Sequence, residues 1–396
     1  MQGWRLLTAD PVAQLRSLDD LDRYATAVGW RSEQPGTVPF ATAAIGYLSD
    51  DLSPELLALP PDPRPGLADL PPVHFGVYEW AVAVSPDGRA CVVAVRERLD
   101  ELCRWATGAA PMRPAGAVDR QAAHAGMDRA THRDAVHQIH EWIAAGDLYQ
   151  ANLTFQMSAP WSAGAVPLAR RLAEATPGAA HAALVVVDDA TAIVSASPET
   201  FLRVTQDRIA TRPIKGTRPR WADAVRDRMA ADQLQASAKD HAEHVMIVDL
   251  ERNDLGRVCI AGSVSVPEYA ALEGHPTVWH LTSTVMGTLR PDVTLAEVLR
   301  ATFPPGSVTG TPKRMAVART ASVEPVRRGV YCGAIGIVAP GVVDLSVAIR
   351  TAVLADGTAS YGTGGAIVTD SDPADEYDEA MAKAAAFLHA TNASLT

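Results

Sequence analysis

Strand-like and helix-like segments of this chain do not alternate, and that constrains its fold more than any other feature. Short apolar runs come in adjacent pairs: Ala81-Val-Ala-Val84 and Cys91-Val-Val-Ala-Val95, separated by Pro86-Asp-Gly88, read as a hairpin. A second pair follows at 182–187 and 192–195, and a third at 333–338 and 344–349. Between them lie helical patterns. Val136, Ile139 and Ile143 recur at helical spacing up to Gly146. The stretch 238–257 carries Val245, Met246, Val248 and Leu250 among many charges, and 375–389 is rich in alanine. Without a strict βαβ rhythm, the pattern predicts an α+β fold with largely antiparallel sheets, not a doubly wound one. The one linker-like stretch is Ala106-Thr-Gly-Ala-Ala-Pro-Met-Arg-Pro-Ala-Gly116. The part before it is short and loop-rich, so residues 1–396 are read as a single composite domain.

Charge and composition exclude several function classes. A formal charge of −11 argues against nonspecific binding to nucleic acid or to an anionic membrane surface. No run of about 18 apolar residues is present to span a bilayer. The N-terminus lacks a basic segment followed by an apolar one, and a cytoplasmic location is expected. The four cysteines, Cys91, Cys103, Cys259 and Cys332, form no C-x-x-C pair. They are expected to be buried free thiols in a reducing compartment.

Lysine is scarce. Arginine supplies most of the positive charge, and the only lysines are Lys215, Lys239, Lys313 and Lys383. Lys215 lies in Thr211-Arg-Pro-Ile-Lys-Gly-Thr-Arg-Pro-Arg220. A desolvated lysine amine can lose its proton and attack carbon, which a guanidinium cannot do. A plain surface cation between two prolines is the competing reading.

Carboxylates form the second constellation. Glu243 lies on the predicted 238–257 helix, and Glu376 and Glu379 are three residues apart on the last one. Carboxylates from two helices meeting at a cleft make a hard oxygen site of the kind Mg²⁺ accepts. On spacing alone, such a pair is more often a solvated helix face. Two glycine-rich segments, 303–313 and 361–367, expose backbone N–H groups but match neither the P-loop nor the dinucleotide spacing. Arg350 and Lys383 are candidate cationic clamps, and His280 a candidate acid for a leaving hydroxyl. No G-x-S-x-G is present to support hydrolase chemistry.

Taken in order, several segments are similar to the chorismate-utilising enzyme family. They are Gly146-Asp-Leu-Tyr-Gln-Ala-Asn-Leu-Thr154, Ser195-Ala-Ser-Pro-Glu-Thr-Phe201, Pro213-Ile-Lys-Gly-Thr217 and the Glu243 helix. His280-Leu-Thr-Ser283, Gly306-Ser-Val-Thr-Gly-Thr-Pro-Lys313, Tyr331-Cys-Gly-Ala-Ile-Gly336, Ala348-Ile-Arg-Thr351 and residues 364–383 follow. The resemblance covers the chain from about residue 125 onward, making 120–396 the catalytic chorismate-binding core, while 1–115 matches loosely. It implies an anthranilate synthase component I-like fold, a sandwich of two antiparallel sheets with outer helices and a cleft between them. Members that add water to chorismate have Lys where this chain has Gln150, and anthranilate synthases have Ala where it has Lys215. Lysine there implies amination at C4, giving 4-amino-4-deoxychorismate for folate or a related secondary metabolite.

By the same resemblance, Glu199 is an acid/base near the ammonia site and His280 assists departure of the C4 hydroxyl. Glu243 and Glu379 hold Mg²⁺, with Glu376 acting through water. Thr217, Tyr331, Arg350, Gly364, Gly365 and Lys383 hold the substrate carboxylates. The chain has no glutaminase motif, so ammonia is expected from a separate glutamine amidotransferase subunit. Phe155-Gln156 and Gly364-Gly-Ala366 depart from the usual family residues, and the shorter N-terminal half leaves a tryptophan pocket in doubt. An anthranilate-type or 2-amino-isochorismate-forming activity, and a non-catalytic chorismate-binding partner of a glutaminase, are the alternatives.

Overall fold

The structure, a computed structural model, describes residues 3–33, 42–95, 98–108 and 118–395. Two large sheets dominate it. One runs in the order Ala393–Leu395, Gln121–Ala125, Gln150–Pro160, Thr358–Ile367, Thr351–Ala355, Ala192–Ser197, His181–Val186, with the short Gly310–Thr311 also pairing on Gln150–Pro160. The other runs Ile214–Pro219, Val278–Thr288, Arg208–Arg212, Thr200–Thr205, Val342–Val347, Ala334–Ala339, Ala43–Leu48, Val73–Tyr78, Ala13–Leu15, with Ser265–Gly274 added on Val278–Thr288. Every pairing in these sheets is antiparallel except that of Ala393–Leu395 with Gln121–Ala125. The α+β expectation holds.

Period-two alternation decides which side of each sheet receives helices. On Gln150–Pro160, the alternate residues Leu153, Phe155 and Met157 pack with Val136 and Ile139, with Leu168 and Leu172, and with Ala384 and Phe387, all from helices. The intervening Thr154 gives both its N–H and its hydroxyl to Glu324 Oε1, at 3.0 and 2.9 Å. Arg328 and Arg64 pair with the same buried Glu324, which ties the N-terminal part of the chain to this sheet. On the second sheet, Val204, Val338, Val343 and Leu345 pack with Leu21, Leu255 and Leu299 from its own helices. Tyr47 and Ile335 of one sheet meet Val185 and Ile193 of the other. The layers are therefore helix, sheet, sheet, helix.

Two helices matter for the site. The central one, Ala238–Gly256, is capped by Ser237, whose side chain accepts from Asp240 N–H. The final one, Pro373–Thr391, starts with Asp372 accepting from the N–H groups of Ala374 and Asp375, and ends on Asn392 in the left-handed region. The 81–84 and 91–95 hairpin forms as Trp80–Val84 with Ala90–Ala94. The strand expected at 344–349 lies slightly earlier, at Val342–Val347. Of the predicted linker, residues 106–108 close the helix Leu99–Gly108 and the rest falls outside the described residues.

All four cysteines are free, but only Cys259 and Cys332 are buried. Cys91 is half-buried and Cys103 exposed, which corrects the expectation of four buried thiols. Among the described residues, no helix is long and apolar enough to cross a membrane.

Candidate active site

A bulge sets the position of Lys215. In the pairing of Ile214–Pro219 with Val278–Thr288, Lys215 opposes Leu281 and Thr217 opposes His280, with the register shifting between them. Gly216 takes up the extra residue at φ +79°, and a Cβ there would stand 2.8 Å from Leu234 Cδ1. Such bulges re-aim neighbouring side chains. Lys215 is half-buried in the cleft. Desolvation lowers its proton affinity and the Lys383 charge adds to this, against the opposing pull of Glu243, Glu199 and Glu379.

Glu199 is 4% exposed and pushed up to about 7 by burial, despite the Ser307 hydroxyl, the Lys215 charge and the Ile214 backbone, which favour its anion. A carboxyl poised there can give or take a proton near neutrality. His280 is also buried, with Nδ1 3.0 Å from Thr217 Oγ1. Burial first, then Arg350 and His275, push it down to about 4. It is a neutral imidazole that can still donate a ring N–H.

Facing these groups are the carboxylates of the two helices. Glu376 is 3% exposed, and its Oε1 accepts from Lys239 Nζ at 3.0 Å and from Ser371 Oγ at 2.7 Å. Glu379 pairs with Lys383 at 2.8 Å, and that lysine depresses its pKa. Burial raises Glu243, Lys215 and Lys239 counter this, and the neighbouring Glu376 charge adds to the rise. Among the described residues, no three His, Cys, Asp or Glu side chains gather closely enough to ligate a metal ion. The donors are all hard oxygens suited to Mg²⁺, and lysine ammoniums already stand as cations on two of them.

The remaining candidates line the adjacent strand and its surroundings. Lys383 Nζ also donates to Gly364 O at 2.9 Å. At Gly365, a Cβ would lie 3.3 Å from Glu376 Oε2 and 3.7 Å from Lys383 Nζ, so the backbone comes close to both charged groups. Tyr331 is buried, which holds its phenol protonated, and its ring packs against Gly362 on the same strand. Arg350 sits just before Thr351–Ala355 with φ +50°. Thr217 is exposed and follows the bulge directly. Gln150 is fully buried, and neither amide atom has a hydrogen-bond partner among the described residues.

Electrostatic contact therefore joins Lys215, Glu199, Glu243, Glu379 and Lys383, with Lys239 and Glu376 beside them. Thr217, His280 and Arg350 form a neighbouring group, while Gly364 joins the first directly through Lys383 and Tyr331 packs on Gly362 of the same strand. Sequence reasoning does not single out Lys239, Ser307 or Ser371. The scarcity argument made for Lys215 finds Lys239 when it is applied to all four lysines.

The model of the chorismate binding enzyme family matches residues 6–389, including the N-terminal part whose motifs resemble it only loosely. Aminodeoxychorismate synthase component 1 of Salmonella typhimurium is 35% identical over 406 residues, covering 97% of this chain and 88% of that protein. Anthranilate synthase component 1 of Streptomyces coelicolor is 36% identical, covering 96% and 77%. Among solved structures, anthranilate synthase component I from Streptococcus pneumoniae superposes with a TM-score of 0.84 at 28% identity, covering 97% of this chain and 91% of that one.

Proposed function

The chain belongs to the chorismate binding enzyme family, and from that premise we propose that it is component I of an aminodeoxychorismate synthase, aminating chorismate at C4. The observation that carries this reading is Lys215, half-buried in the cleft beside Glu199 and Lys383, where desolvation favours its neutral amine. That amine attacks C2 of chorismate, forming a C–N bond as the ring double bonds shift and the C4–O bond breaks. The departing hydroxyl leaves as water with the proton that the Lys215 nitrogen gives up on attack, and His280 would assist that departure by donating its ring N–H. Ammonia then adds at C4, the double bonds shift back, and the C2–N bond breaks to release Lys215. Glu199 takes the proton that the incoming nitrogen loses and returns one to the Lys215 nitrogen as it leaves.

Thr217, Tyr331, Arg350, Gly364, Gly365 and Lys383 would hold the two substrate carboxylates. Glu243 and Glu379 would hold Mg²⁺, with Glu376 acting through water, and the ion would supply a hard cation to a substrate carboxylate. Ammonia would come from a separate glutamine amidotransferase, in keeping with the "component 1" names of the relatives. Gln150 supports amination over hydration, because a neutral amide cannot act as the base that activates water.

Product identification tests the proposal. The purified chain is incubated with chorismate, Mg²⁺ and ammonium, with and without a lyase that converts 4-amino-4-deoxychorismate to p-aminobenzoate. Formation of p-aminobenzoate only when the lyase is present is the expected result. Anthranilate or isochorismate as the main product would overturn it.

A further inference from the structure

Lys239 stands where a helix least favours a cation. It is the second residue of the central helix, close to the positive end of the helix dipole. Its own side chain is 45% exposed, yet it reaches Glu376, which is 3% exposed, at 3.0 Å. Ser371 donates to the same carboxylate oxygen, and the second oxygen faces the Gly365 backbone. Among the described residues Lys239 is the only cation paired with Glu376. A half-exposed lysine thus neutralises a buried carboxylate, and its stem can carry the ammonium out to solvent when another cation takes its place.

We propose that Lys239 is a placeholder cation, which neutralises Glu376 while the cleft lacks its divalent ion and is displaced when that ion enters with the dianionic substrate. The inference rests on the Mg²⁺–chorismate reading of this cleft. Charge bookkeeping motivates it. Two paired lysines, Lys239 and Lys383, already stand on Glu376 and Glu379, with Lys215 close by. A divalent ion arriving alone adds two positive charges against them, and a substrate dianion cancels those charges. Lys239 therefore opposes metal without substrate and strengthens the coupling between the two. Once displaced, its flexible stem leaves the ammonium at the cleft mouth.

The test measures Mn²⁺, as a Mg²⁺ probe, by electron paramagnetic resonance of the free ion, with and without chorismate. The proteins are the full-length chain, Lys239→Gln, Lys239→Arg and Glu376→Gln, with circular dichroism confirming their fold. Lys239→Gln is expected to bind Mn²⁺ about tenfold more tightly without chorismate, and to gain less from adding chorismate. Lys239→Arg keeps the charge and holds the carboxylate with a planar fork, so its Mn²⁺ affinity is expected to match or fall below that of the parent. Unchanged or weaker binding by Lys239→Gln, or a shift of both variants in one direction, would overturn the proposal. A Glu376→Gln variant that binds Mn²⁺ as well as the parent, with chorismate present, would sink the underlying metal reading, and the placeholder with it.

Discussion

The central helix carries two ionic clusters made from the same residue types. Near its start, Lys239 and Glu243 face the cleft and meet Glu376, Glu379 and Lys383 of the final helix. About three turns further on, Asp254 pairs with Lys313, with Glu251 alongside. Lys239 and Lys383 have side chains 45% exposed and Lys313 7%, while Glu376 at 3% is as buried as Asp254 at 4%, so it is the lysines that differ. Lys313 also donates to Thr302 O at 2.6 Å, and Glu251 accepts from Gly306 N–H at 3.1 Å. The sealed cluster thereby fixes the Gly306–Val308 turn, whose Ser307 touches Glu199. Exposure separates the two roles. A lysine that reaches solvent can leave its carboxylate when another cation takes its place, while a lysine sealed in with its partner is expensive to remove and serves to hold a shape.

The largest expected effect is on Lys215, because it alone among the cleft lysines is assigned a covalent role. Lys215→Ala should lower C4 amination at least about 1,000-fold. Lys215→Arg should be as inactive, since guanidinium keeps the charge without the nucleophile. Mass spectrometry of the parent protein trapped with chorismate should find the adduct that both variants lack. If Lys215→Arg makes product at the parental rate, Lys215 is one more exchangeable cation of the open cluster.

Breaking the sealed cluster should show up in stability. Lys313→Met leaves the buried Asp254 with only the half-exposed Arg257 as a partner, and urea unfolding should register a loss of about 3 kcal/mol. Replacing both partners with apolar residues (Lys313→Met with Asp254→Leu) should restore most of that loss. A loss below about 1 kcal/mol for the single change would erase the distinction between the clusters.

Much of this arrangement is legible in sequence, and the part that is not has physical reasons. The hairpin at 80–94 shows because its turn residues and alternating apolar runs are local signals. Gln150–Pro160 does not read as a strand from periodicity, because both its faces are buried and polar Asn152, Thr154 and Gln156 occupy one of them. Glu376 and Glu379 share a helix face as their spacing requires. Nothing in that spacing says that Glu376 is buried against Lys239 while Glu379 stays open beside Lys383. Those facts depend on how the two helices meet. Scarcity of lysine is the one compositional signal that crosses this gap, since three of the four converge on the cleft and the fourth locks the turn behind Glu199.

Glu199 links the two clusters, and its ionisation gives a prediction of intermediate size. The folded carboxyl keeps its proton up to about pH 7, whereas an ordinary one releases it near 4.5. Folding therefore takes up a proton between those values, so its contribution to stability is full below pH 4.5 and lost as pH rises through 7. Glutamine has no such proton to lose. Glu199→Gln should match the parent in stability at pH 4 and exceed it at pH 8 by on the order of 2 kcal/mol, while its amination activity falls. Thermal unfolding across that range checks the sign. A variant less stable at pH 8 than the parent would mean that Glu199 is held as a permanent anion, and the carboxyl poised near neutrality would fail.

The smallest effect belongs to the open cluster itself. Lys383 pairs with Glu379 one helical turn away and donates to Gly364 O, with both side chains largely in solvent. Lys383 depresses the Glu379 pKa below its ordinary value of 4.5, so the pair adds stability above that pH and loses it as pH falls through the lowered value. Solvent screening keeps the gain small. Lys383→Met should cost no more than about 0.5 kcal/mol at pH 7 and low salt. The cost should shrink towards zero in molar salt, where the Debye length is about 3 Å, and also on acidification as Glu379 becomes neutral. Substrate binding should suffer far more than folding, because the same ammonium is assigned to a chorismate carboxylate. A stability loss as large as that of Lys313→Met, insensitive to salt, would place Lys383 with the sealed cluster and remove the basis for treating the cleft lysines as exchangeable.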